Sequence, residues 1–133
     1  MALLLLIVGG GRMLGYFDEI AEGNSIEVST LDFLGVVFFA PLLETFLLSG
    51  LLAFLSILKK PIPVIAAISA CIWGGLHGIA APLWFFGTVI GFFVFSCAYL
   101  TWRPRSYWYG FAAAALPHAM QNLLAFSMMG LLE

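Results

Sequence analysis

The chain has 133 residues, of which 63% are apolar and only 9% are charged, and its formal net charge is -2. A soluble protein of this length needs many more polar residues to cover its surface, so the composition predicts a protein whose outside faces lipid. There is no basic stretch suited to nucleic acid and no glycine-rich loop suited to phosphate, which excludes those two classes of binding protein.

The first apolar segment covers residues 1–17 and is interrupted by three glycines and an arginine at 9–12. A membrane span needs roughly 20 predominantly apolar residues, because a helix rises about 1.5 Å per residue and the hydrocarbon core is about 30 Å thick. We therefore predict a short or partial first span at 1–17.

Four longer apolar segments follow in chain order, and each is long enough to cross the hydrocarbon core. They cover residues 33–58, 62–80, 82–99 and 107–132. The loops between them are too short to separate domains. The sequence predicts an all-α fold, a polytopic transmembrane bundle of about five helices, in which 1–133 forms a single membrane-embedded domain.

The positions of the basic residues predict the orientation of these segments. Lys59 and Lys60 follow one span, and Arg103 and Arg105 follow another, so two loops on one side carry four of the five basic residues. By the positive-inside rule this side is cytoplasmic, and the acidic stretch at 18–32 lies on the opposite side.

Few polar side chains lie inside the four clear spans. The ionisable ones away from the span ends are Glu44, His77 and His118, and the last span adds the amides Gln121 and Asn122. Counting along each helix puts the three ionisable groups at roughly 16, 8 and 14 Å from the outer surface, respectively. Such residues are costly in lipid and usually face the bundle interior, so we expect them to meet there.

These groups are also the parts needed to hydrolyse a peptide bond. Glu44 could take a proton from water, one histidine could orient that water, and the other histidine with Asn122 could donate hydrogen bonds to an oxyanion. Two other interpretations stay open. The same groups could simply bond helices together, or Glu44, His77 and His118 could bind a catalytic zinc ion.

Two prolines lie inside predicted spans beside these polar groups. Pro41 comes three residues before Glu44, and Pro117 directly precedes His118. Each removes a backbone hydrogen bond from its helix. We expect helix distortions that shape a polar cavity next to the candidate residues.

Three motifs in order resemble those of the CPBP family, the CAAX-protease and bacteriocin-processing enzymes also called Abi proteins. They are Pro-Leu-Leu-Glu-Thr at 41–45, Trp-Gly-Gly-Leu-His at 73–77 and His-Ala-Met-Gln-Asn at 118–122, and Ser-Tyr-Trp at 106–108 is similar to the family's approach to its last motif. The resemblance covers residues from about 33 to 130, which form the motif-bearing core.

The resemblance implies a glutamate-dependent intramembrane protease that needs no cofactor. Glu44 and His77 would activate water, and His118 and Asn122 would form the oxyanion hole. The implied partners are the lipid bilayer and a membrane-associated protein or peptide substrate. The implied location is the inner membrane of a bacterium, as a multi-pass protein.

The chain departs from the family pattern at two positions of the first motif. Thr45 stands where the family usually has a second glutamate, and Ser49 stands where it has an arginine. Joint loss of two residues that pair with each other removes a salt bridge without stranding a buried charge. The departures also support an alternative, a non-catalytic bacteriocin-immunity or membrane accessory protein of the same fold.

Overall fold

The computed structural model describes residues 30–80, 82 and 84–130, and every regular element in these ranges is helical. The all-α prediction is confirmed for this part of the chain. The predicted first span at 1–17 lies outside the described residues, as do residues 18–29 of the acidic stretch.

The first described helix, α1, is a continuous helical rod over residues 30–58 that changes its hydrogen-bonding pattern along its length. Its successive parts are an α-helix at Thr30–Leu34, a π-helical turn at Gly35–Phe39, an α-helix at Ala40–Leu55 and a 3₁₀ turn at Ser56–Leu58. Lys59 then adopts a left-handed backbone with φ of 52°. This conformation cannot continue a right-handed helix, so the rod ends there.

Three further helices follow, and short turns join them. They are α2 at Ile62–Ala80, α3 at Trp84–Trp102 and α4 at Tyr107–Gly130. Of the predicted spans, 62–80 matches α2 in both bounds, whereas 82–99 is shifted: α3 begins two residues later and ends three residues later. Pro82 lies in the turn before α3, and its carbonyl accepts a hydrogen bond from the Phe85 N–H at 3.3 Å.

Within the described ranges, three helices are long and apolar enough to cross a membrane, at residues 35–58, 62–79 and 84–102. This indicates a membrane protein. The fourth helix, α4, has 24 residues, but the imidazole and amides of His118, Gln121 and Asn122 make it less apolar than the other three.

The helices pack so that the last described helix, α4, contacts the first, α1. Contacts are most extensive between α2 and α3, then between α3 and α4, and α4 also packs along α1 and its π-helical turn. A Cβ atom at Gly74 of α2 would overlap the side chain of Val89, so this glycine lets α2 and α3 approach closely. The shared core contains Leu48, Leu52, Leu55, Ile65, Ala70, Trp73, Phe92, Phe95, Tyr99 and Ala114.

Candidate active site

The helix that carries Glu44 changes its hydrogen-bond register just before that residue. The Ala40 N–H donates to the Gly35 carbonyl, five residues earlier, as in a π-helix. In the same register the Val36 carbonyl would pair with the nitrogen of Pro41, which carries no hydrogen. The distortion expected at Pro41 therefore takes the form of a π-helical turn that frees the Val36 carbonyl.

Asn122 of α4 binds the carbonyl that this turn frees. Its side-chain Nδ2 donates a hydrogen bond to the Val36 oxygen at 2.9 Å. A primary amide has two N–H groups, so the second one remains available. The bond joins α4 to α1 at the level of the π-helical turn.

Glu44 of α1 lies opposite His118 of α4. His118 is one helical turn before Asn122. The distance from Glu44 Oε2 to His118 Nε2 is 3.4 Å. This is longer than an ideal hydrogen bond but short enough for direct electrostatic contact. The His118 side chain is 5% exposed and the Glu44 side chain 12% exposed, so the carboxylate keeps some access to a small molecule such as water.

Two phenylalanines of α3 hold the His118 ring in place. Phe95 stacks on it with ring centroids 4.7 Å apart, and Phe92 meets it edge-on at 5.3 Å. The second ring nitrogen, Nδ1, is buried and has no hydrogen-bond partner among the described residues. A buried polar atom of this kind is normally satisfied by an internal water or a ligand.

His77 packs near Phe92, as His118 does, and is engaged with its own helix. Its Nδ1 is 2.9 Å from the Trp73 carbonyl oxygen, one turn earlier in α2. Its ring centroid is 5.8 Å from that of Phe92. Within the described ranges His77 forms no ion pair with Glu44, so the closest carboxylate–histidine pair is the one with His118.

The two positions that depart from the family motif are buried between helices. Thr45 is fully buried, and its hydroxyl has no partner in the described part of the chain. The Ser49 hydroxyl donates to the Phe46 carbonyl at 2.7 Å and lies 3.3 Å from the hydroxyl of Tyr107. Ser49 thus links α1 to α4 by a neutral contact, and no buried charge is left unpaired there.

The zinc interpretation finds no support in the arrangement of possible ligands. Within the residues that the structure describes, no three side chains of the types His, Cys, Asp and Glu come close enough together to hold a metal ion. Glu44 and His118 are paired, but His77 bonds to the Trp73 carbonyl instead of joining them.

Of the four predicted site residues, the structure brings Glu44 and His118 into contact, and it puts Asn122 and His77 nearby with backbone partners. Sequence reasoning missed Phe92 and Phe95, which position His118, because two phenylalanines in an apolar span carry no distinctive signal. It also missed Val36, whose carbonyl accepts the hydrogen bond from Asn122. The spacing of five residues between Val36 and Pro41 is the only sequence signal for it.

Comparison of the chain with protein-family models, with curated proteins and with solved structures finds no match in any of the three.

Proposed function

We propose that this protein is an intramembrane endopeptidase of the CPBP type, in which Glu44 activates water to hydrolyse a peptide bond of a membrane-associated protein or peptide. The observation that carries the proposal is the 3.4 Å contact between Glu44 and His118. A carboxylate and an imidazole facing each other in an apolar bundle are expensive to bury, and residues of this kind inside membranes usually serve a function.

The proposed reaction needs only water and groups from this chain. The Glu44 carboxylate takes a proton from water, and the resulting hydroxide attacks the carbonyl carbon of the scissile bond. The C–N bond then breaks, and the proton passes to the departing amine. The products are a carboxylic acid and an amine, so water is the only co-substrate and no oxidant or reductant is required.

The contacts favour a different division of roles from the one implied by the resemblance. His118 Nε2 is the group that faces Glu44, which suits it to orient the carboxylate and the attacking water. The free N–H of Asn122 is the best available oxyanion donor, because its other N–H is fixed by the Val36 carbonyl. His77 would take a supporting position beside Phe92.

The remaining expectations from the sequence belong to the same proposal. They are a bundle of about five transmembrane helices, with 1–17 supplying a short or partial first span and α4 the last, located in the inner membrane of a bacterium. The less apolar α4 can cross the membrane because two of its most polar side chains, His118 and Asn122, make their contacts with α1 and α3 and not with lipid.

The test is a cleavage assay with purified protein in liposomes and a library of fluorogenic peptides that contain an apolar segment. We expect the wild type to cleave, Glu44→Gln to lose at least about 100-fold in rate, and Gln121→Ala, an exposed neighbour of Asn122, to remain active. A Glu44→Gln variant that is folded and cleaves like the wild type would refute the glutamate mechanism. Activity lost on chelation and regained with zinc would favour the metal-dependent alternative.

One observation favours a second candidate, a non-catalytic immunity or accessory protein. Asn122 and Ser49 both make contacts between helices, to Val36 and Tyr107, as expected of polar residues that only stabilise a bundle. For such a protein, Glu44→Gln would leave the cellular protective function unchanged, whereas the proposed peptidase would lose its function with its fold intact.

A further inference from the structure

A groove lies between α1 and α4, toward the end of the bundle where the chain turns at Arg103. Its volume is about 730 Å³. The wall is formed by Leu42, Phe46, Gly50, Ala53, Trp108 and Phe111, and the polar residues Ser49, Tyr99, Arg103 and Tyr107 complete it. Neither Glu44 nor His118 lines this groove, so it is separate from the candidate active site.

The length of the groove matches the thickness of one membrane leaflet. Leu42 and Phe46 are 49% and 60% exposed, so the wall is open on the side where lipid would lie. From Ala53 to Leu42 the groove runs about 16 Å along α1 at the usual helical rise. Half of a hydrocarbon core of about 30 Å is nearly the same length.

The polar end of the groove presents a positive charge in a fixed position. The Arg103 Nε donates to the Tyr99 hydroxyl at 3.2 Å, and Tyr99 is buried. A Cβ atom on Gly110 would lie 3.0 Å from the Arg103 Cα, so the backbone of the arginine is packed tightly against α4. The arginine is therefore anchored at its backbone and at its Nε.

The terminal nitrogens of Arg103 are left available. Among the described residues Arg103 takes part in no salt bridge, and its only side-chain hydrogen bond is the one from Nε. A guanidinium with its outer N–H groups free is suited to bind the oxygens of a phosphate. Neighbouring Arg105 differs, because its guanidinium lies 4.3 Å from the ring centroid of Trp102 and it does not line the groove.

We infer that this groove is a binding site for an anionic glycerophospholipid, with one acyl chain along α1 and the headgroup phosphate on Arg103. The guanidinium at one end of the groove is complementary in charge to an anionic phosphate. The apolar wall is about as long as one leaflet is thick, which suits an acyl chain. Basic pockets between helices on the cytoplasmic side are typical sites for anionic headgroups. The inference does not depend on the proposed peptidase activity.

The test uses native mass spectrometry of the full chain in detergent, titrated with phosphatidylglycerol or phosphatidylcholine of the same acyl chains. We expect phosphatidylglycerol to bind more tightly. Arg103→Gln should weaken phosphatidylglycerol binding about fivefold and phosphatidylcholine binding by less, because the choline ammonium offsets the charge of the phosphate that both headgroups carry. Arg105→Gln is the matched control and should change neither. Equal losses in the two arginine variants would refute the site in favour of general attraction to a basic surface.

A second pair of variants tests the acyl-chain part of the groove. A Cβ atom on Gly50 meets no atom within 4 Å, so Gly50→Leu fills the groove without a backbone clash. Gly87 of α3 is equally open and does not line the groove, which makes Gly87→Leu the control. We expect only Gly50→Leu to weaken binding of both lipids, with both variants as helical as the wild type by circular dichroism. Unchanged binding in Gly50→Leu would overturn the assignment.

Competition identifies the occupant. Inorganic phosphate should not displace the bound phosphatidylglycerol, since it lacks the chain that fills the groove, and displacement would reduce the site to a bare anion site. An apolar peptide with a free C-terminal carboxylate should compete no better than its C-terminal amide. Stronger competition by the carboxylate form would contradict the lipid assignment and identify a peptide terminus as the ligand.

Discussion

Asn122 of α4 hydrogen-bonds to the backbone carbonyl of Val36 in α1, a residue 86 positions earlier in the chain, at 2.9 Å. The carbonyl is free because the helix passes through a π-helical turn and then meets Pro41, which has no N–H to offer. A carbonyl that the distortion of α1 leaves unpaired thus accepts a hydrogen bond from a side chain of α4. The same bond leaves one N–H of Asn122 for the chemistry proposed above.

Replacing Asn122 by alanine should destabilise the bundle, because the Val36 carbonyl would lose its partner inside the protein. We expect a loss of about 1 kcal/mol in the free energy of unfolding, within the range found for polar contacts between membrane helices. Unfolding in mixed micelles with increasing SDS would measure it. Gln121→Ala removes an amide that forms no hydrogen bond in the described part of the chain, and a loss as large as that of Asn122→Ala would contradict the role of the bond.

Pro41→Ala should make the protein less dependent on Asn122. An alanine at 41 supplies the missing N–H, so the Val36 carbonyl gains a partner within its own helix. In a double-mutant cycle we expect Asn122→Ala to cost at least about 0.5 kcal/mol less in the Pro41→Ala background than in the wild type. Strictly additive losses in the same SDS titration would show that the two residues act independently.

The sequence was sufficient to predict the all-helical fold, most helix bounds and the meeting of Glu44 with His118. The reason is that a long apolar run has one stable form in lipid, and counting residues along it gives depth. It was not sufficient for the partner of Asn122, which is a backbone atom. It also did not reveal that His77 bonds to the Trp73 carbonyl and forms no ion pair with Glu44 among the described residues, because side-chain direction depends on how the helices rotate about their axes.

Glu44 and His118 should be energetically coupled. We expect Glu44→Gln and His118→Gln to destabilise together by less than the sum of their single effects, with a coupling energy between about 0.5 and 3 kcal/mol, as is usual for residues in direct contact. The pair Glu44→Gln and His77→Gln serves as the control, since His77 bonds to the Trp73 carbonyl. Equal coupling in the two cycles would contradict a specific Glu44–His118 contact.

Two adjacent glycines of α2 should respond in opposite ways to alanine. At Gly74 the new methyl group would overlap Val89 of α3, whereas at Gly75 it would meet no atom within 4 Å. We expect Gly74→Ala to lose about 1 to 3 kcal/mol through overpacking. Gly75→Ala should be neutral or gain up to about 1 kcal/mol from helix propensity. The unfolding midpoints in SDS compare them directly, and equal values would contradict the close approach of α2 and α3.

The uneven hydropathy of the four helices has a consequence for synthesis in the cell. The helix with the side chains that are most costly to bury in lipid, α4, leaves the ribosome after the other three described helices. Its polar contacts are with residues of α1: Asn122 contacts Val36, His118 contacts Glu44 and Tyr107 contacts Ser49. The α1 groups that make these contacts are therefore synthesised before α4. We expect α4 to pack against partners that already exist, so that chain order favours the pairing of its polar side chains.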